Sequence, residues 1–81
     1  MTEDYASILA WDYVKRNDYP VKRIQSVRLL KAGSNPWYDF SRGDLWIVIF
    51  TREMPEGVIE FPGELIVEVE CETGNVCVCE L

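Results

Sequence analysis

LWIVIFT, residues 45–51, carries the strongest strand signal in the chain. Leu45, Ile47 and Ile49 alternate with Trp46, Val48 and Phe50, so both sides of the segment are apolar. β-Branched and aromatic side chains suit a pleated strand. Apolarity on both sides marks a central strand covered on both faces. A sheet must then extend to either side of it. Upstream, VKRIQSVRLLK (21–31) alternates imperfectly, and a bulge near Ser26 reconciles Ile24 with Val27 and Leu29. It is expected as a strand near an edge. Downstream, LIVEVEC (65–71) and VCVCEL (76–81) are expected as two further strands. The intervening AGSNPWYDFSRGD (32–44) and REMPEGVIEFPGE (52–64) hold Gly and Pro breakers and are expected as loops.

Ahead of the strands, residues 3–17 have the marks of a helix. Thr2 is a usable N-cap, Glu3 and Asp4 suit the positive end of the helix dipole, and Lys15 and Arg16 suit the other. Tyr5, Ala6, Leu9, Ala10 and Tyr13 share one face at helical spacing, with the two alanines allowing close approach to a sheet. Ile8 and Trp11 fall off that stripe and are expected as edge contacts or partly exposed residues. Asn17, Asp18 and Pro20 stop the helix. The expected fold class is α+β: one N-terminal helix packed on a four-stranded antiparallel meander sheet, a two-layer single domain over residues 1–81.

The last hairpin, VEVECETGNVCVCEL (67–81), holds all three cysteines. A three-residue loop, Glu72-Thr73-Gly74, with Gly74 left-handed, is a common connection. It sets Val69 opposite Cys77 and Val67 opposite Cys79. Cys71, Cys77 and Cys79 then face inward with Leu65, Val67 and Val69, while Glu68 and Glu70 face outward with Ile66, Val76 and Val78. A four-residue loop shifts the register by one and puts the late cysteines beside the acids. The first register is preferred here for its separation of apolar from acidic residues. In the preferred register the sheet face away from the helix, with Ile66, Val76 and Val78, is expected to be apolar and bare, a surface for a partner or a second copy.

The chain has 81 residues and is 48% hydrophobic, enough for one small core and too much for disorder. No apolar run is long enough for a membrane helix. An acidic start without a signal-peptide pattern, and an odd number of cysteines, lead to the expectation of a reducing cytoplasm. Charge is divided unevenly. Residues 1–42 hold seven Lys/Arg against five Asp/Glu, and residues 43–81 hold one against nine, giving the net −6. A chain so poor in clustered bases is not expected to bind nucleic acid. A basic protein partner suits it, since complementary fields speed encounter and select partners.

There is no histidine, which removes Ser-His-Asp and Cys-His pairs and histidine metal sites. No glycine-rich phosphate loop is present. The C-x5-C-x-C spacing lacks the four ligands and short knuckles of a structural zinc site. Packing as small hydrophobes is the first reading of the cysteines, with a thiol redox or metal role as the alternative. Paired carboxylates such as Glu68 and Glu70 read as solvated charge on an open strand.

Helix, then YPVKRI (19–24), then GDLWIVIF (43–50), then PGELIVEVECETGNVCV (62–78) is an order that resembles the immunity protein 35 family, with its YrhB-like small bacterial proteins. The resemblance spans residues 3–79 and implies a cystatin-like fold. It further implies a bacterial protein that neutralises a partner toxin, or a small chaperone-like protein. Trp46, Phe50 and Gly74 match the family's pattern, in structural roles. The 32–44 loop is longer than the family's and marks a partner-specific surface.

The expectation is therefore a non-enzymatic binding protein that occludes a basic toxin domain and needs no cofactor. Its contact candidates are Trp37, Tyr38, Glu53, Glu56, Glu60, Glu68 and Glu70. The alternatives are a chaperone-like or structural homodimer joined through the sheet face, and a thiol redox or metal protein.

Overall fold

The computed structural model describes residues 1–31, 43–53 and 63–79. Helix α1 (Glu3–Arg16) is followed by strands β1 (Val21–Leu30), β2 (Leu45–Arg52), β3 (Glu64–Glu70) and β4 (Val76–Cys79). The strands form one antiparallel sheet in the order β1-β2-β3-β4, with α1 packed on one face: the two-layer α+β meander.

Local chemistry explains both ends of α1. The Tyr5 N–H donates to Thr2 Oγ1 at 3.1 Å, and the Ala6 N–H to the Thr2 carbonyl at 3.0 Å. These bonds satisfy donors that the first turn leaves without helical partners. At the other end Asn17 is the cap and Asp18 takes φ 57°. The Asp18 N–H reaches the Lys15 carbonyl at 3.3 Å, and the Tyr19 N–H reaches that of Val14 at 2.9 Å. This is a Schellman turn with aspartate in the left-handed position usually held by glycine.

The buried helix residues are Ala6, Ala10 and Val14, spaced at i, i+4, i+8. They close on Val48, Phe50, Leu65, Val67 and Val69, all buried. The helical stripe differs from the sequence expectation in two places. Tyr5 is 53% exposed, and Val14 takes the buried position beyond Ala10. Trp11 packs on the core, its ring edge-on to Phe50 at 5.1 Å between centroids. The stripe is narrower than periodicity suggests because two small alanines set its width. Large side chains flank it instead of standing on it. Ile8, expected off the stripe, is 63% exposed.

β2 lies between β1 and β3, as its two-sided apolarity implies. Trp46, Val48 and Phe50 pair with Val69, Val67 and Leu65 beneath the helix. The Trp46 Nε1–H is buried and finds no acceptor among the described residues. Leu45, Ile47 and Ile49 point to the outer face, where Leu45 is fully buried and the isoleucines half-buried. On β1 the register slips between Ile24 and Ser26, at the expected bulge, and again between Val21 and Arg23. The bulge re-aims Gln25. Its side chain accepts from Thr51 Oγ1 at 3.3 Å and donates to Glu64 Oε1 at 3.1 Å, tying three strands together.

The final hairpin takes the other register. Val69 pairs with Val76, Glu68 with Cys77, Val67 with Val78 and Ile66 with Cys79. The loop has four residues, Cys71–Gly74. It is closed by the Glu70 N–H to the Asn75 carbonyl at 2.9 Å and the Gly74 N–H to the Glu70 carbonyl at 2.8 Å. Gly74 is left-handed, φ 76°, as expected. The preferred inward placement of Cys77 and Cys79 is thereby overturned: both are exposed on the outer face. Val76 and Val78, expected outside, pack against the core. The reason is hydrophobic. Aliphatic valines gain more from burial against α1 than thiols do, and a slip of one residue exchanges the two sets completely.

Candidate binding surface

The outer face of the sheet is ordered by strand. One row across it runs Arg28, Ile47, Glu68, Cys77; the next runs Ser26, Ile49, Ile66, Cys79. Across these rows Arg28 and Ser26 stand on β1, isoleucines on β2, Glu68 and Ile66 on β3, and thiols beyond them on β4. Glu64, Glu68 and Glu70 share the outer side of β3 because strand side chains alternate. Six residue steps along the strand separate the first from the last, about 20 Å.

The predicted contact residues divide into three groups. Glu68 and Glu70 are brought together on outer β3, both half-buried. The Cys77 thiol lies 3.4 Å from Glu68 Oε1 as donor. Glu70 Oε2 accepts from the Thr73 hydroxyl at 2.7 Å, and Thr73 Oγ1 accepts the Asn75 N–H at 3.1 Å, so this carboxylate also braces the hairpin loop. Glu53 stands apart. It is exposed beyond the end of β2, near the Glu64 end of the row, with its N–H on the Pro20 carbonyl at 2.8 Å. Trp37, Tyr38, Glu56 and Glu60 lie outside the described residues.

Of the thiols, Cys71 is the sheltered one. Burial pushes its pKa up from the ordinary 9.0, and the negative charges of Asp44 and Glu72 add to the rise. It therefore stays a neutral thiol at physiological pH. Its N–H donates to the Asp44 carbonyl at 3.0 Å. Among the described residues no cluster of three or more Cys, Asp and Glu is placed to hold a metal. No helix among them is long and apolar enough to cross a membrane.

Sequence reading located the acidic row on β3 but missed two contacts. Gln25 reaches Glu64 only because of the bulge, whose presence the broken alternation near Ser26 did signal. The Cys77–Glu68 contact follows from hairpin register, which the pattern of the strands left open. No protein-family model, curated protein or solved structure matches this chain.

Proposed function

We propose that this chain is a non-enzymatic protein-binding domain of the immunity type, which neutralises a basic toxin domain by covering it. The observation that carries this reading is the carboxylate row Glu64, Glu68 and Glu70 beside Ile66 on the sheet face opposite α1. An acidic row flanked by half-buried aliphatics suits a partner with a basic rim and an apolar centre. The sequence resemblance points the same way. In this reading Trp37 and Tyr38, the aromatic candidates of the sequence, serve as anchors, a frequent source of binding energy. Glu53, Glu56 and Glu60 add to the negative charge of the chain.

Co-expression with any toxin found encoded beside its gene tests the reading. The chain should rescue growth and bind the toxin, with affinity falling as salt rises because the charges screen. Glu68→Gln with Glu70→Gln keeps an accepting oxygen at both positions, and should weaken both binding and rescue while leaving the folded spectrum intact. Equal rescue by this double variant would remove the acidic row from the mechanism.

One observation favours a second reading. Cys77 and Cys79 are exposed rather than buried, so the thiol alternative retains accessible groups. Its test is a reversible change in activity or assembly on oxidation.

A further inference from the structure

The two edges of the sheet are built differently, and the difference points to a contact that the proposed function does not use. β1 carries Lys22, Arg23 and Arg28 and two register slips. Charges and bulges of this kind keep an edge from pairing with another strand. β4, Val76-Cys77-Val78-Cys79, has no charged residue.

Hydrogen-bond alternation identifies which groups of β4 point outward. Glu70 bonds to Asn75 across the hairpin, while Cys71 bonds to Asp44 on the β2 side. Along an antiparallel pair these bonded positions recur every second residue. Cys77 and Cys79 therefore spend their backbone groups on β3. The N–H and C=O of Val76 and Val78 face the edge that no described strand covers.

We propose that β4 is a self-association edge. Two copies pair antiparallel along it about a two-fold axis at Cys77, joining their sheets into one. Centring on Cys77 sets Val76 of each copy opposite Val78 of the other and uses all four open groups of each strand. Centring on Val76 instead requires the Gly74 N–H, which is already given to Glu70. The valines of both copies meet on the helix side and deepen each other's burial. Among the described residues of β3 and β4 no like charges collide: the two Glu68 carboxylates stand three strand spacings apart, about 14 Å, beyond the Debye length of about 8 Å at physiological salt. Pairing β4 with the basic, bulged β1 of a neighbour would give an open chain of molecules, whereas the two-fold contact closes.

The axis also makes a prediction about thiols. Cys77 meets its own copy at a narrow, non-hydrogen-bonded position, with Cα atoms about 4.5 Å apart. That lies within the range a disulfide spans, about 4.4–6.8 Å. Cys79 sits on the diagonal, about 7–8 Å from the other copy's Cys77.

The test is diamide oxidation of the purified full chain over a wide range of concentration, with sedimentation under reducing conditions in parallel. Two thiols lose two electrons and two protons to the diazene, which becomes the hydrazine, and the sulfurs join. The expected result is a covalent dimer in the parent, Cys71→Ser and Cys79→Ser chains, and none in Cys77→Ser. Under reducing conditions the mass should rise with concentration. Val78→Pro removes an outward N–H that β3 does not use, and should weaken association about tenfold or more, since two donors are lost per dimer. The exposed Cys77→Ser change keeps the test valid should the proline variant fail to fold. A monomer mass at every concentration overturns the proposal. So does a cross-link that survives loss of Cys77, or one that also requires Cys79.

Discussion

The two edge strands share one sheet and one helix yet are stabilised by different means. β1 is ten residues long, irregular and basic, while β4 has four residues and is regular and uncharged. The long edge is anchored by its side chains, with Gln25 reaching over β2 to Glu64. The short edge is anchored by its loop, with Thr73 bridging Glu70 and Asn75, and by two valines under the helix. Each edge is entered near a residue at positive φ: Asp18 before β1 and Gly74 before β4. The comparison teaches that protection against edge pairing and attachment to the core are separate properties. β1 has both, whereas β4 is attached but unprotected.

The largest expected effect comes where both edges depend on one side chain. Phe50 is fully buried at the centre, and Phe50→Ala should cost about 3–5 kcal/mol. In denaturant melts both edges should then be lost in one transition. Separate transitions for β1 and β4 would show that they do not share a core.

Next in size is a contrast within β4. Val78→Ser places a hydroxyl against the core and should cost about 1–3 kcal/mol. Cys77→Ser lies on the exposed face and should stay within about 0.5 kcal/mol. The reverse ranking in matched melts would restore the three-residue-loop register. The two entry residues come third. Gly74→Ala should lose about 1–2 kcal/mol, the cost of a Cβ in the left-handed region. Among the described residues its new Cβ meets only Leu9 Cδ1, at an unstrained 4.0 Å. Asp18→Gly should gain up to about 1 kcal/mol, by relieving the same strain at the Schellman position. Opposite signs for the two changes sharpen the comparison, and equal signs break it.

The smallest effect is a pH dependence at Cys71. Its pKa is raised in the folded chain by burial and by Asp44, so folding favours the protonated thiol. That contribution is complete below the ordinary value of 9.0 and is lost as pH rises through the higher folded value. Alkylation of native Cys71 should therefore need a higher pH than alkylation of the same residue in denaturant. Coincident pH profiles would remove the shift.

Much of this was legible in the amino-acid order. Thr2 and the first-turn acids marked the helix start, the apolar LWIVIFT marked the central strand, and the broken alternation near Ser26 marked the bulge. The acidic row on β3 was legible too, because period-two spacing puts Glu68 and Glu70 on one side whatever pairs with them. The contact of Glu68 with Cys77 was not, since it depends on the register of β4.

By itself, then, the sequence determined one helix, four strands, their meander order and an acid-rich β3. Those features follow from local periodicity, capping and breakers, which act within a few residues. The tertiary structure alone decided which side of β4 is buried. V-C-V-C offers two alternating sets of small apolar side chains, so local patterning is compatible with either register. The choice was made by what lies across the sheet: α1 covers one face, and aliphatic valines gain more there than thiols do. Cys77 and Cys79, which read as core, came to the surface for that reason.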